Sequence, residues 1–472
     1  MLFNSVEFLI FFPIVFVLYW LLNNKLTFQN ILLLTASYIF YAWWDWRFLS
    51  LIIISSVIDY VAGLSIFKAN SKKQKKFWLV VSLVANLGFL SIFKYYNFFA
   101  ESFTQAVSIT GWRPNDLTLN IILPVGISFY TFQTLSYTID IYRGSFKPTK
   151  SVLSFFTYIA FFPQLVAGPI ERASNLLPQI EKKRTFNKEW FNEGLLQIFI
   201  GLFRKIVIAD TLAKYIDTIY ADPGLYNSST VLLATFFYAF QIYFDFAGYS
   251  DIAIGTAKVM GFKFHQNFNL PYFSKSLTEF WRKWHISLSF WLRDYLYISL
   301  GGNRKGIKIT YRNLMITMLL GGLWHGSSWN FIIWGGIHGL VLSIEKYIKS
   351  NPRFNFLNRF ALIGYPLTFF IVLMSWVFFR ATTFTDAVTA IEKIIIFEGG
   401  IPFIGDINVI VNSLFVLTLG ILFDYYLFKK ELPLENLGKN FTPLKTAIIC
   451  SILIVLTSLF YSTSNNFIYF QF

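Results

Sequence analysis

Residues 277–339 read LTEFWRKWHISLSFWLRDYLYISLGGNRKGIKITYRNLMITMLLGGLWHGSSWNFIIWGGIHG. This stretch holds three of the four histidines of the chain, His285, His325 and His338, yet it is apolar enough to lie in a lipid bilayer. Ionisable side chains at membrane depth cost a few kcal/mol each, so they are rare and usually functional. We therefore predict that this stretch is the active-site core and that the rest of the chain positions it.

The composition of the whole chain indicates a membrane protein. Of its 472 residues, 55% are hydrophobic and 14% are charged, and the mean hydropathy is +0.53. Soluble globular proteins have roughly 25% charged residues. These values predict an all-α polytopic membrane protein with a single membrane domain over residues 1–472. The opening run MLFNSVEFLIFFPIVFVLYWLL has no basic leading region and no small-residue cleavage site, so we interpret it as a first span.

We attribute the net charge of +15 mainly to the orientation of the chain in a bilayer and not to the binding of a polyanionic partner. The basic residues lie in short loops between apolar runs, as the positive-inside pattern requires. We expect no nucleic-acid partner, and only a minor share of this charge to serve phosphate-bearing ligands. The loop KANSKKQKK (68–76) is predicted to be cytoplasmic, the loop 97–118 with its GWRPND segment to lie outside, and the N-terminus to lie outside.

Apolar runs of roughly 20 residues predict about 11 or 12 spans. Ten of them lie near residues 6–22, 28–45, 49–66, 77–96, 119–142, 191–209, 230–254, 360–379, 408–428 and 444–462. The run 309–349 is interpreted as two spans broken around His325, where glycines and serines cluster.

A second break is predicted between Phe155 and Ile180, where FFTYIAFFPQLVAGPIERASNLLPQI contains three prolines. Proline removes a backbone donor and interrupts a helix, and irregular backbone at membrane depth must be covered by protein or line a water cavity. We predict a re-entrant or broken element here, with Glu171 and Arg172 as a candidate internal ion pair.

Two acids lie inside the predicted span 230–254, in the segment QIYFDFAGYSDIAIG. Asp245 and Asp251 should face the protein interior rather than lipid. Either each carboxylate bonds a neighbouring Tyr, Trp or Arg and is structural, or it contacts a substrate or its proton.

Residues 277–298 repeat aromatic and apolar side chains at helical spacing, but the polar residues among them are too many for a lipid-facing span. We predict one helix along the cytoplasmic interface, followed by the basic loop GGNRKGIK (301–308). Positive, mobile surfaces attract phosphate-bearing donors, although the same charges also satisfy the positive-inside rule. The candidate donor-binding residues are Arg282, Arg304, Lys305 and Lys308.

The three histidines of the stretch allow several functions. A buried neutral imidazole can take a proton from a hydroxyl that attacks an acyl group, and no Gly-x-Ser-x-Gly motif indicates a covalent serine. Each could instead be a hydrogen-bonded core histidine. A metal site is disfavoured by the ligand spacing and by the single cysteine, Cys450. A transporter with broken helices remains a further alternative, although no inverted repeat is visible.

The motifs EFWRKWHISLSFWLRDYLYISLGGNRKG and LLGGLWHGSSWNFIIWGGIHG closely resemble the membrane-bound O-acyltransferase (MBOAT) family. The segments LPVGISFYTFQTLSYTIDIYRG, FFPQLVAGPIER and QIYFDFAGYSDIAIG, together with the ends MLFNSVEFLIFF and FIYFQF, are similar to its bacterial alginate O-acetyltransferase-like branch. The resemblance runs over nearly the whole chain. It implies a ring of tilted helices, with re-entrant and interfacial helices, around a thin centre that is reached by tunnels.

The resemblance also implies roles for individual residues. His325, in the Trp-His-Gly motif, would be the active-site histidine. His285, in the Trp-x-x-Trp-His motif, would be the second active-site polar residue, and His338 a further histidine of this branch. Trp324 and Trp284, which precede the first two histidines, would support them.

The chemistry that the resemblance implies is transfer of an acyl group from a thioester to a hydroxyl, with no bound cofactor. In this branch a cytoplasmic donor, here expected to be acetyl-CoA, serves acceptors beyond the bacterial inner membrane. A periplasmic or extracellular partner of the SGNH-hydrolase type then modifies alginate, peptidoglycan or another glycan. A more distant branch transfers D-alanine to teichoic acid from a carrier protein, and this remains the alternative.

Overall fold

The structure is a computed structural model that describes residues 1–112, 117–354, 362–439 and 441–461. Most of the GWRPND segment and the terminal FIYFQF lie outside these ranges. Every regular element within them is a helix, which confirms the all-α prediction. The chain forms two compact units, one of Met1–Lys188 with Ala257–His265 and one of Glu189–Thr256 with Gln266–Phe472. The prediction of one membrane domain over the whole chain stays a prediction.

The described residues of the first unit contain nine α-helices. They are α1 (Val6–Leu21), α2 (Leu26–Asp45), α3 (Leu49–Lys68), α4 (Lys72–Leu90), α5 (Tyr96–Ser108), α6 (Ile127–Arg143), α7 (Val152–Ala160), α8 (Phe162–Leu165) and α9 (Ala173–Ile180). A buried carboxylate ties three of them together. Asp59 of α3 accepts hydrogen bonds from Ser82 and Asn86 of α4 and from Thr138 of α6, so no oxygen of this acid is left facing lipid.

Two sequence predictions for this unit have different outcomes. The segment 155–180 is broken as predicted, because α7, α8 and α9 are short and irregular backbone separates α8 from α9. The predicted span 119–142 is wrong at its start, since helix α6 begins only at Ile127. The cause is local: Pro124 precedes Gly126, which has a φ of 75° and ends the extended approach to the helix.

The second unit contains the remaining α-helices of the described residues. They are α10 (Lys188–Leu202), α11 (Asp210–Tyr220), α12 (Ser228–Val259), α13 (Leu277–Lys283), α14 (Ile286–Trp291), α15 (Ile307–His325), α16 (Trp329–Ser350), α17 (Gly364–Arg380), α18 (Phe384–Ile395), α19 (Ile407–Lys429) and α20 (Pro443–Phe460). A π-helical segment, Phe203–Ala209, joins α10 to α11, and another, Leu292–Tyr297, follows α14.

Helices α10 and α12 contact each other backbone to backbone. A Cβ atom added at Gly201 would lie 2.6 Å from the carbonyl oxygen of Gly248, and one at Gly255 would lie 2.6 Å from that of Gly194. From the first pair to the second, the residue number falls along α10 and rises along α12, so the two helices are antiparallel. Small residues give such close approach where lipid supplies no hydrophobic force between helices.

Six helical stretches of the described residues are long and apolar enough to cross a membrane. They are Leu26–Lys68, Lys72–Ser108, Ser228–Val259, Trp329–Ser350, Ile407–Lys429 and Pro443–Phe460. The first of them, 43 residues long, contains two of the predicted spans, joined by a short 3₁₀ turn. Helices α1 and α17 are apolar but shorter. The chain is therefore a multi-pass membrane protein.

Candidate functional site

The glycines around His325 bring α15 and α16 into contact. A Cβ at Gly322 would lie 2.1 Å from the carbonyl oxygen of Phe331, and one at Gly335 would lie 2.2 Å from that of Met318. The helices break between His325 and Trp329, as the sequence predicted. The glycine-rich motif thus builds a tight helical hairpin with His325 at the end of its first arm.

Gly335→Ala should force the arms of this hairpin apart, because neither backbone can yield to the added methyl group. We expect a loss of stability of about 1–3 kcal/mol, typical of overpacking, and a loss of acyl transfer as His325 moves. Gly336→Ala is the matched control, since its nearest neighbour would be a Leu319 methyl at 3.6 Å. Thermal unfolding of both variants in detergent checks this, and equal unfolding temperatures would contradict it.

His325 is buried in an aromatic enclosure. Its ring lies edge-on to Trp324, Trp334 and Phe379, with centroid distances of 5.0, 5.1 and 5.3 Å. Its centroid is 6.4 Å from that of His285. The two histidines that the sequence placed 40 positions apart are therefore neighbours in the fold.

His285 sits at a break that the sequence did not predict. The expected single helix over 277–298 is wrong: α13 ends at Lys283, and His285 has a left-handed backbone with a φ of 41° before α14 starts. Such a conformation costs about 1–3 kcal/mol in a non-glycine residue and is often retained at functional sites. The side chain is fully buried, with its ring edge-on to Phe246 at 4.6 Å.

The tryptophans beside the two histidines close this enclosure. Trp284 is buried and stacks on Phe280, with centroids 5.4 Å apart, and it lies 5.0 Å from Trp376. Trp324 lies 5.9 Å from His285. Rings that surround a polar pair in this way lower the local dielectric and strengthen electrostatic interactions inside.

His338 is held by a hydrogen bond at each ring nitrogen. Its Nδ1 accepts from Nε1 of Trp281 at 3.3 Å, and its Nε2 lies 3.0 Å from the hydroxyl of Ser375. That hydroxyl donates to the carbonyl of Val372, so it must accept from Nε2–H. His338 thus resembles a hydrogen-bonded core histidine more than a base.

Asp251 belongs to a buried ion network centred on Arg204. The guanidinium donates to Asp251 and to Asp424 at 2.7 Å each. Gln197 donates to the other oxygen of Asp251 at 3.2 Å, and Tyr243 to the other oxygen of Asp424 at 2.8 Å. The network ties α12 and α19 to the π-helical segment after α10.

Asp245 has a similar partner in Lys205. The ammonium group lies 2.6 Å from Asp245 and 2.7 Å from Asp210, and all three side chains are buried. Both acids of α12 are therefore engaged by cations. The partner of Asp251 is an arginine, one of the residue types named by the structural interpretation, whereas that of Asp245 is a lysine, which the interpretation did not name. These partners were not predicted from the sequence, although Arg204 and Lys205 in GLFRKIVIAD were visible as charges beside an apolar run.

Glu171 lies in the first unit and bonds to His265 and Asn175, while its predicted ion pair with Arg172 stays a prediction. One oxygen accepts from the backbone N–H of His265 at 2.5 Å, and the other lies 2.9 Å from Nδ1 of His265 and accepts from Asn175 at 2.6 Å. The hydrogen bond to Glu171 raises the pKa of His265 above its ordinary value. This fourth histidine, which the sequence analysis did not use, anchors α9 to the segment after α12.

The candidate donor-binding residues are on the surface. Arg282, Arg304, Lys305 and Lys308 are all exposed, the last three in the loop before and at the start of α15. Within the described residues, no three His, Cys, Asp or Glu side chains are grouped so that they could hold a metal ion.

Comparison with known proteins defines the class of this chain. Residues 38–385 match the model of the MBOAT, membrane-bound O-acyltransferase family. The chain belongs to this family. It is a multi-pass membrane O-acyltransferase.

Curated relatives include enzymes with different acceptors. The chain is 46% identical to the probable alginate O-acetylase AlgI of Pseudomonas syringae pv. tomato over 385 residues, which cover 81% of this chain and 72% of the relative. It is 36% identical to the peptidoglycan O-acetyltransferase of Helicobacter pylori over 434 residues, covering 84% and 80%. It is 29% identical to the teichoic acid D-alanyltransferase of Bacillus subtilis over 289 residues, covering 58% and 72%.

Proposed function

We propose that this chain takes an acetyl group from a cytoplasmic thioester and passes it through the membrane for O-acetylation of an extracytoplasmic polysaccharide. Alginate, peptidoglycan and other cell-envelope glycans are the acceptor class. The observation that carries the proposal is the buried pair of His285 and His325, with ring centroids 6.4 Å apart inside an aromatic enclosure. The names of two relatives, an alginate O-acetylase and a peptidoglycan O-acetyltransferase, support the acetyl group and the acceptor class.

The proposed reaction is a single displacement at this pair. An acceptor hydroxyl attacks the thioester carbonyl, so a C–O bond forms and the C–S bond breaks. His325 takes the hydroxyl proton as general base, and the leaving thiolate receives it, which leaves the enzyme unchanged. His285 accepts a hydrogen bond from one of the substrates and so orients it. The aromatic rings exclude water that would hydrolyse the thioester.

The proposal places the donor on the cytoplasmic side of the inner membrane and the N-terminus on the opposite side. Acetyl-CoA is the proposed donor, and a periplasmic or extracellular protein of the SGNH-hydrolase type is the proposed partner that receives the acetyl group. The exposed charges of Arg304, Lys305 and Lys308 support a cytoplasmic donor entrance, because positive charge raises the local concentration of a phosphate-bearing molecule.

Right-side-out membrane vesicles test this function and its direction. Vesicles loaded with acetyl-CoA, labelled in the acetyl group, should release free CoA inside and form labelled O-acetyl esters outside when the partner and glycan fragments are added there.

Replacing Arg304, Lys305 and Lys308 together with Gln should raise KM for acetyl-CoA at low salt and leave turnover nearly unchanged.

Three other results would each contradict the proposal. Esters that form only when the donor is outside would reverse the direction. Intact acetyl-CoA appearing outside would indicate a transporter. Consumption of a D-alanylated carrier protein, with acetyl-CoA inert, would favour the D-alanyl transfer that one relative is named for.

A further inference from the structure

Asn267 lies in the loop between α12 and α13 and is fully buried. Its side-chain oxygen accepts from the backbone N–H of Ser287 at 3.2 Å and from the Ser287 hydroxyl at 2.9 Å, and it lies 3.2 Å from Nδ1 of His285. Its side-chain nitrogen donates to the hydroxyl of Ser250, on α12, at 3.0 Å. One buried amide therefore joins α12, the break at His285 and the first turn of α14.

The main chain of Asn267 supports the same break. Its carbonyl oxygen accepts from the N–H of Ile286 at 2.9 Å. The first two backbone N–H groups after His285 are thus both bound by Asn267, one by its main chain and one by its side chain. These bonds stabilise the left-handed conformation of His285. They also supply acceptors for N–H groups at the start of α14, which have no acceptor within the helix.

The hydrogen-bond pattern also determines which nitrogen of His285 carries the proton. A backbone N–H can only donate, so the Asn267 atom that meets the N–H of Ser287 must be the amide oxygen. An amide oxygen can only accept, so Nδ1 of His285 must carry a hydrogen. The full burial of His285 disfavours the charged form of its ring. In a neutral ring with Nδ1–H, the lone pair is on Nε2.

The opposite arrangement holds at His338, where Nδ1 accepts from Trp281 and Nε2 donates to Ser375. Two buried histidines of the same motif region are therefore fixed in opposite tautomers by their neighbours. The difference indicates that the tautomer of His285 is set by Asn267 and is not a general result of burial.

We propose that Asn267 is a positioning residue that holds His285 as the Nδ1–H tautomer and directs its Nε2 lone pair to the reacting groups. The proposal rests on the proposed function, in which His285 accepts a hydrogen bond from a substrate. With the other tautomer, Nε2 would donate instead, and this contact would be lost.

Nitrogen-15 NMR of the full-length protein, labelled in its four histidines, tests the tautomer without any assay of activity. His→Gln variants assign the four rings. We expect His285 to give the shifts of an Nδ1–H ring and His338 those of an Nε2–H ring. In Asn267→Leu, whose side chain has the same number and branching of heavy atoms and no polar atom, His285 should lose this preference while His338 keeps its own. An Nε2–H ring at His285 in the wild type, or no change in Asn267→Leu, would overturn the proposal.

Kinetics of the same variants separate positioning from folding. Per folded molecule, Asn267→Leu should lose about 10²-fold in turnover, with KM for the donor nearly unchanged. Asn267→Asp should recover most of the turnover, because a carboxylate also accepts from Nδ1–H. Ser250→Ala, which removes a bond on the far side of the amide, is the control and should change turnover little.

Equal turnover in the Leu and Asp variants would overturn the proposal. If His285→Ala is itself active, the role of His285 in the proposed function fails, while NMR still decides the tautomer.

Discussion

His325→Ala should lower the turnover of acyl transfer by about 10²–10⁴-fold, the range that general acid–base catalysis contributes. The imidazole sits where α15 ends, and the aromatic rings around it also pack on one another, so folding should survive its loss. His325→Gln keeps more of the side-chain volume and should be equally inactive, which separates the loss of the base from a packing defect. CoA release by purified protein, together with thermal unfolding, measures both effects.

His338→Ala is the comparison variant for this experiment. Because both ring nitrogens of His338 bond inside the protein, its loss should lower the unfolding temperature and reduce turnover per folded molecule less than tenfold. His285→Ala should be severe in turnover. Activity of His325→Ala within a few-fold of the wild type would show that His325 is not the general base.

Arg204→Met should destabilise the protein by about 3–5 kcal/mol, the usual result of removing one partner of a buried ion pair. The guanidinium pairs with both Asp251 and Asp424, which would remain buried without a cation. The variant should therefore yield little folded protein, and the cause is loss of structure rather than of chemistry. Unfolding in detergent with increasing denaturant measures the change.

Two further variants make this prediction specific. Arg204→Met combined with Asp251→Asn and Asp424→Asn should recover much of the stability, because no uncompensated carboxylate remains. Arg47→Met is the control, since Arg47 pairs with Asp45 while its side chain is 62% exposed, and exposed pairs contribute about 0–1 kcal/mol. If Arg204→Met and Arg47→Met cost the same, the network does not hold the helices together.

The sequence predicted those parts of the site that are encoded locally. The break after His325 was visible because glycines and serines interrupt an apolar run, and the Phe155–Ile180 break because of its prolines. The left-handed turn at His285 was not visible, since the helical spacing of 277–298 continues through it and histidine gives no signal of positive φ. That turn depends on Asn267, 18 positions earlier, in an unremarkable polar loop.

Long-range pairing explains the other omissions. Arg204 and Asp424 are 220 positions apart, and nothing in either segment specifies the other. What the sequence shows is a charged residue inside or beside an apolar run, in GLFRKIVIAD and in ILFDYYLF. Such a charge predicts a buried partner but does not indicate which residue the partner is. Asp245 and Asp251 were noticed for the same reason, but their cations became known only from the packing of the π-helical segment Phe203–Ala209 against α12.

An experimental structure with a thioether analogue of acetyl-CoA tests the central claim most directly. The measured quantity is the distance from the analogue's carbonyl-equivalent carbon to the nearest ring nitrogen of His325. We predict about 6 Å or less, because one acceptor hydroxyl has to lie about 3 Å from both. An analogue whose acetyl end lies outside the enclosure of His285 and His325, too far for a single bridging hydroxyl, would contradict acyl transfer at this pair.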